Sequence, residues 1–484
     1  MRQKDFIFNI FILLFLNLLI KPFWVLGIDV GVQNRVGAEQ YGLYFAVFNF
    51  TFLFNTILDM GITNFNNRNI AQHNHLLQKH ISGIITLKLL LAALYLVITF
   101  IAALFIGYEG IQLKILLFAA INQALNSLIL YLRSNISALL YFKIDSVLSV
   151  LDRLLMILIC SFLLWGGRTT EPFQIIWFLY AQTAAYLITV VVALTIILYK
   201  IGRFKLSWNR SFALMILKKS FPFAILYLLM SFYNRIDSVM IERILPSSIA
   251  AYQTGVYASV FRLLDALVMI SYLFSVILLP LFSKMLKNKE ELTPIIHVSF
   301  SLLFFFSTTA VVILLFFRVP ILELLYRDHI SASARVLQFL IPCLIPISFT
   351  YIFGTLLTAN GNMKMLNITS LVGIALNIAL NLILIPRLHA TGAAIASLST
   401  QTLICVIQFF LALRILGVSI KVLPIGKTLL YLILFIGGVY LIYRFLPFSS
   451  LYMIVISCIF AVSLAFATQL IPLSLLKSLK IEDE

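Results

Sequence analysis

The chain has 484 residues, of which 62% are hydrophobic and only 11% are charged, and its mean hydropathy is +1.06. A soluble protein of this length would carry about 25% charged residues to coat its surface. The composition excludes a soluble enzyme, a disordered chain and a disulfide scaffold, and it predicts an all-α polytopic membrane protein. The four cysteines lie in apolar runs without a Cys-x-x-Cys pair, which predicts buried thiols with no metal site or disulfide.

Apolar runs long enough to cross a bilayer follow one another along the chain. A helical span needs about 20 apolar residues, whereas a β-barrel would show alternating segments of about ten residues. We predict about 14 transmembrane helices on this basis. The runs lie at 6–28, 41–63, 81–106, 111–132, 142–165, 173–199, 220–241, 252–281, 295–317, 334–358, 364–386, 391–415, 425–446 and 450–472. The first run is too long for a signal-peptide core, so we expect it to be retained as a helix.

The distribution of Lys and Arg predicts the orientation of these spans. With a cytoplasmic N-terminus, the inner segments carry about twice as many Lys and Arg residues as the outer segments. This asymmetry places both termini in the cytoplasm. It also accounts for the net charge of +17 without nucleic-acid binding.

Two segments indicate an internal repeat. Gly42-Leu-Tyr-Phe-Ala-Val-Phe48 begins the second predicted span and Gly255-Val-Tyr-Ala-Ser-Val-Phe261 begins the eighth, with Gly, Tyr, Val and Phe in common. Each follows the first outer loop of a six-helix set, and an even number of spans makes the repeat parallel. We expect an N-terminal six-helix lobe at 1–200, a basic cytoplasmic linker at 201–219, a C-terminal six-helix lobe at 220–416, and two extra helices with a cytoplasmic tail at 417–484.

Charged side chains inside the predicted spans are the candidate functional residues, because each costs about 2.5–3.5 kcal/mol in the hydrocarbon. Two interpretations stay open: ion pairs that hold helices together, or a cationic track in a hydrated cavity between the lobes. Arg supports the second, because its guanidinium makes forked contacts with phosphate. We assign Lys21, Arg153, Arg235 and Arg262 to substrate binding, and Asp59, Lys88, Asp152, Asp237 and Asp265 to ion coupling or cavity ion pairs.

Neutral polar residues complete the candidate cavity. Asn49 and Asn55 lie on the second span and Asn122 and Asn126 on the fourth. The alternative for these residues is interhelical hydrogen bonding, worth about 0.6 kcal/mol for each bond. The sequence has neither a Walker A motif nor His-Glu-x-x-His, so we expect no ATP site, no metal site, no catalytic residue and no enzyme activity.

Several short motifs resemble a known group of proteins. They are Val36-Gly-Ala-Glu-Gln-Tyr-Gly-Leu-Tyr44, Leu58-Asp-Met-Gly61, Thr254-Gly-Val-Tyr-Ala258, Ala359-Asn-Gly-Asn-Met-Lys364 and Gly392-Ala-Ala-Ile-Ala396. Over roughly residues 1–420 the chain resembles the polysaccharide flippases of the multidrug/oligosaccharidyl-lipid/polysaccharide (MOP) exporter superfamily, especially O-antigen (Wzx-type) flippases. His389 departs from the pattern, because such proteins often carry Gly there.

The resemblance implies a MATE-like pair of lobes that alternates access across the inner membrane. The implied cargo is an undecaprenyl-diphosphate-linked oligosaccharide, moved from the inner to the outer leaflet for polysaccharide biosynthesis, with the asparagines facing sugar hydroxyls. Membrane lipids and the polysaccharide polymerase machinery are the implied partners. No cofactor is implied. The drive would be H⁺ or Na⁺ coupling, or the membrane potential at about 2.3 kcal/mol per charge per 100 mV.

Three alternatives remain. A multidrug/cation antiporter of the same superfamily would predict twelve spans and an acidic cavity. A lipid II flippase fits the predicted span count equally well. A membrane glycosyl polymerase or ligase, from a different class, would need a sizeable outer loop, which the sequence does not show.

Overall fold

The computed structural model describes residues 19–20, 22–63, 66, 77–139, 141–166, 172–202, 207–416 and 424–471, and this part of the chain is helical without a β-strand. A π-helical turn, Trp24–Asp29, leads into the first helix. The α-helices are α1 (Val30–Leu53), α2 (Thr56–Asp59), α3 (Leu77–Ile106), α4 (Ile111–Ala138), α5 (Phe142–Trp165), α6 (Ile175–Ile201), α7 (Arg210–Ile244), α8 (Ser247–Asn288), α9 (Thr293–Phe316), α10 (Arg318–Leu325), α11 (Ile330–Leu340), α12 (Leu344–Ala359), α13 (Met363–Leu416), α14 (Ile425–Phe445) and α15 (Ser450–Ala467). A short 3₁₀ turn, Ile341–Cys343, joins α11 to α12.

Helix α1 turns a corner at Gly37. The Tyr41 hydroxyl donates a hydrogen bond of 2.6 Å to Asp29, 12 residues earlier. A straight helix would separate these residues by about 18 Å, so the chain must reverse between them. Gly37 has φ 82° and ψ 163°, a conformation that glycine adopts without a Cβ clash. The corner therefore separates the end of the first predicted span from the start of the second.

Helix α13 turns a similar corner at His389, where φ is 53° and ψ is −134°. A Cβ added to Gly392 would lie 2.4 Å from the carbonyl oxygen of Leu384, so the segments before and after the corner are in backbone contact. The predicted runs 364–386 and 391–415 are thus two helices joined at one residue. Position 389, where proteins of the resembled family often carry Gly, has a positive φ here. His adopts this φ at a conformational cost.

Eleven helices in the described ranges are long and apolar enough to cross a membrane. One of them, Met363–Ile415, contains two predicted runs because of its corner. Large apolar side chains such as Phe105 and Ile433 lie exposed on the helices, as expected where lipid replaces water. The all-α multi-pass class is confirmed. The described helices are compatible with about 14 spans, and most of the first run, at residues 6–28, lies outside the described residues.

The chain packs as two compact units, Met1–Ala258 and Ser259–Glu484. In the first unit, α1 is central and packs against α4, α6 and α7. In the second, α12 packs between α9 and α13, and α14 and α15 pack together against α9. A hydrogen bond of 2.7 Å between the hydroxyls of Thr309 and Tyr431 ties α9 to α14. The packing division falls inside α8, not in the segment 201–219, and the lobe boundaries stay a prediction.

Candidate functional site

Arg153, a predicted substrate-binding cation on α5, contacts two aromatic rings. Its guanidinium carbon lies 5.6 Å from the ring centroid of Trp24 and 5.9 Å from that of Tyr186. Its Nε is 3.5 Å from the Asp152 carboxylate, and its side chain is 27% exposed. Its Nη1 donates a hydrogen bond of 3.5 Å to the Met156 sulfur. The two aromatic rings stabilise the charge within the membrane, and the side chain stays partly exposed. The group is therefore positioned to meet an anionic ligand.

Arg235 and Asp237 lie two residues apart on α7 and have different surroundings. The Arg235 guanidinium is half-buried, 5.2 Å from the centroid of Phe52 on α1. Asp237 is fully buried and accepts a hydrogen bond of 2.9 Å from the Tyr257 hydroxyl on α8. Arg235 thus resembles Arg153 in resting on an aromatic face, whereas Asp237 takes part in joining α7 to α8.

Lys88 and Asp59 form a buried ion pair. Lys88 Nζ lies 2.7 Å from Asp59 Oδ1 and donates a second hydrogen bond of 2.8 Å to Ser127 Oγ. It also donates to the backbone carbonyls of Leu58 and Ser127, both at 3.3 Å. Because the ammonium is enclosed by acceptors on α2 and α4, this pair fits the ion-pair interpretation better than a substrate contact.

The predicted asparagines divide into buried and half-buried positions. Asn49 is 1% exposed, and Asn122 accepts a hydrogen bond of 2.7 Å from Thr183 on α6. Asn55 and Asn126 are half-buried. Asn122 therefore takes part in interhelical hydrogen bonding. Contact with sugar hydroxyls stays a prediction, and the exposure of Asn55 and Asn126 suits it best.

The remaining candidates are Arg262, Asp265 and Lys21. Arg262 and Asp265 are half-buried on the part of α8 that belongs to the second unit. Lys21 lies outside the described residues. Across the described ranges, no cluster of His, Cys, Asp or Glu is suited to hold a metal ion.

Asp29 was not predicted, because the sequence places it in an outer loop. It is 1% exposed and accepts the hydrogen bond from Tyr41 across the corner at Gly37. The signal was available: Val30 and Val32 continue the apolar run beyond Asp29, which is typical of a helix that extends past the charge. Asp29 thus adds a buried carboxylate to the first unit.

The chain matches known protein families and solved structures. The model of a family described as "Polysaccharide biosynthesis protein" matches residues 7–286, more than half of the chain. The chain belongs to the polysaccharide biosynthesis protein family. A second family model, MatE, matches residues 222–383 of this family member. No curated protein in the comparison matches it.

Solved structures share the fold of this polysaccharide biosynthesis protein. The lipid II flippase MurJ in an inward closed conformation has a TM-score of 0.73 at 15% identity, with 95% of this chain and 98% of MurJ covered. An inward-facing multidrug resistance MATE transporter of the MOP superfamily has a TM-score of 0.64 at 13% identity, with 82% and 94% covered. An outward-facing MATE structure has 0.58 at 14%, with 83% and 95% covered. The likenesses establish that this chain has the fold of MurJ and of the MATE transporters.

Proposed function

We propose that the protein is a lipid-linked oligosaccharide flippase. It moves undecaprenyl-diphosphate-linked glycan units from the inner to the outer leaflet of the cytoplasmic membrane by alternating access, with both termini in the cytoplasm. Polysaccharide polymerase machinery would use the units that it delivers. Membership of the polysaccharide biosynthesis protein family supports this assignment at the level of the pathway class.

The observation that carries the proposal is the environment of Arg153. A guanidinium held against the rings of Trp24 and Tyr186 stays charged within the membrane, and its side chain is 27% exposed, so a diphosphate can reach it. Arg235 on Phe52 repeats the arrangement on α7. A multidrug/cation antiporter would place anions in these positions to attract its substrate, so the two arginines favour an anionic cargo.

A lipid II flippase is the second candidate. The likeness to MurJ spans 95% of this chain, whereas the MATE transporters cover 82–83% of it. The difference is roughly the length of two membrane helices, which a lipid II flippase and an oligosaccharide flippase would share. The mass of the trapped intermediate separates these candidates, because lipid II carries a peptide on its sugar. A glycosyl polymerase or ligase would instead accumulate unpolymerised units on the outer leaflet.

The test is deletion of the gene followed by mass spectrometry of lipid-linked intermediates. We expect lipid-linked oligosaccharide to accumulate on the inner leaflet and surface glycan to disappear. In complementation, the Arg153→Ala and Arg235→Ala proteins should still insert into the membrane, while their export falls about 10- to 150-fold. This is the ratio for losing a charge-assisted hydrogen bond of ~1.5–3 kcal/mol.

The matched control is Arg444→Ala, which removes an exposed arginine near the end of α14 and should export normally. Normal surface glycan in both Arg153→Ala and Arg235→Ala cells would contradict the cationic site. Accumulation of a peptide-bearing intermediate would replace the proposed cargo with lipid II.

A further inference from the structure

Helices α1 and α8 touch through matching small residues. Both carry Ala-x-x-x-Gly, as Ala38 to Gly42 and Ala251 to Gly255. A Cβ added to Gly42 would lie 2.0 Å from the carbonyl oxygen of Ala251, and a Cβ added to Gly255 would lie 1.9 Å from that of Ala38. Real Cβ atoms are excluded at such distances, so the two backbones are in direct contact. We call these four residues the clasp.

The clasp is reciprocal. Each glycine faces the carbonyl four residues before the other glycine, which is the pattern of a two-fold related contact. The two glycines are those of the internal repeat, which here extends upstream to Ala38 and Ala251. A two-fold axis passing between them is what a parallel repeat requires. Gln33 Nε2 adds a hydrogen bond of 3.1 Å to the Gly255 carbonyl.

Polar contacts join α7 to the first turn of α4 and to the connection that precedes it. Gln112 Nε2 donates a hydrogen bond of 2.8 Å to Glu242, and the Arg243 guanidinium carbon lies 4.1 Å from the centroid of Tyr108. Arg243 Nε is also 2.7 Å from the Glu242 carboxylate. Burial raises the pKa of Tyr108, and the Glu242 carboxylate adds to this effect, so the ring is a neutral phenol. We call these four residues the latch.

The clasp and the latch each lie next to a turn of the chain. The clasp follows the corner at Gly37, and the latch lies beside the turns at 107–110 and 245–246. The predicted topology places all three turns on the outer side. Both contacts join a helix of the predicted lobe at 1–200 to a helix of the predicted lobe at 220–416, so they must separate whenever the outer side opens.

We propose that the clasp and the latch together form the outer gate of the transport cycle, an inference that rests on the proposed flippase function. A contact between two glycine surfaces has no interdigitated side chains to release, and small-residue helix contacts of this kind rely on close backbone approach. The latch exchanges its hydrogen bonds with water when it opens. The gate can therefore close tightly, and opening it separates α7 and the start of α8 from α1.

Cross-linking tests the latch. In a chain whose four native cysteines are replaced, Gln112→Cys and Glu242→Cys should be joined by a short homobifunctional thiol reagent with a reducible link. We expect export of lipid-linked glycan to stop after cross-linking and to return after reduction. Each single cysteine variant should export at the same rate before and after treatment with the reagent. Undiminished export from fully cross-linked protein would overturn the gate.

Glycine variants test the clasp without measuring transport. Gly42→Ala and Gly255→Ala place a Cβ against a backbone carbonyl, and overpacking of this kind opposes closure. We expect the rate of cross-linking between positions 112 and 242 to fall about tenfold, equivalent to ~1.4 kcal/mol. Gly437→Ala on α14 is the control, because an added Cβ there meets nothing within 4 Å. Monodisperse elution of each variant in detergent shows that it has folded.

The two proposals fail separately. If cross-linking responds to the glycine variants but deletion of the gene traps no lipid-linked oligosaccharide, the gate stands and the proposed cargo is wrong. If the deletion traps the oligosaccharide but folded Gly42→Ala and Gly255→Ala proteins cross-link at the parent rate, the clasp is not part of the gate.

Discussion

Removing the Asp59 carboxylate should destabilise the protein more than removing the Lys88 ammonium. The two partners of this ion pair differ in burial: the Lys88 side chain is 3% exposed, whereas that of Asp59 is 32% exposed. Asp59→Ala would leave a cation enclosed by Ser127 and backbone carbonyls. Lys88→Met would leave an anion that can reach water and still accepts hydrogen bonds from the Thr63 backbone N–H and hydroxyl.

The magnitudes follow from this asymmetry. Breaking a buried pair by removing one partner costs about 3–5 kcal/mol of folding stability. Because Lys88 keeps its other hydrogen-bond acceptors, we expect Asp59→Ala to cost ~3 kcal/mol, the lower end of this range. For Lys88→Met we expect a loss of about 1 kcal/mol of folding stability, because the partly exposed Asp59 carboxylate stays hydrated and the methionine fills the space of the lysine. The double variant should be more stable than Asp59→Ala alone, since it buries no uncompensated charge.

The assay is thermal unfolding of the four proteins in one detergent, with the cycle closed by the double variant. Export is measured in parallel, because a purely structural pair predicts activity in proportion to the folded protein. If Lys88→Met destabilises the protein as much as Asp59→Ala does, the argument from burial is wrong. If the Asp59→Asn protein is as stable as the parent but exports nothing, Asp59 takes part in ion coupling instead.

Two further changes probe features that the structure reveals in the second unit. His389→Gly should stabilise the protein by about 1 kcal/mol, because it relieves a positive φ at the corner of α13 and removes a buried ring nitrogen, Nδ1, that accepts no hydrogen bond within the described residues. His389→Ala also removes the ring nitrogen but keeps the Cβ, so it should give a smaller gain in thermal stability; equal gains would contradict the strain argument. Tyr431→Phe should cost about 1 kcal/mol through loss of the bond to Thr309, and little more should follow when Thr309→Val is added. A fully additive second loss would show that the two hydroxyls act independently.

The sequence alone determined the class of the protein and the positions of most spans. Transfer of apolar side chains into lipid is a local property of each segment, and uncompensated backbone groups force those segments into helices. For the same reason the intramembrane charges were visible in advance, and so was the unusual residue at position 389. The repeat at Gly42 and Gly255 was detectable as well, although only as a similarity between two short strings of residues.

Tertiary structure decided which of these groups meet. Asp29 meets Tyr41 because the chain turns at the single residue Gly37, and the apolar run that continues past Asp29 does not show where this turn lies. The aromatic faces under Arg153 come from Trp24 and Tyr186 on separate helices. The backbone contact between Gly42 and Gly255 joins residues more than two hundred positions apart. Such contacts depend on helix rotation and crossing, which packing between distant segments fixes and local hydropathy does not encode.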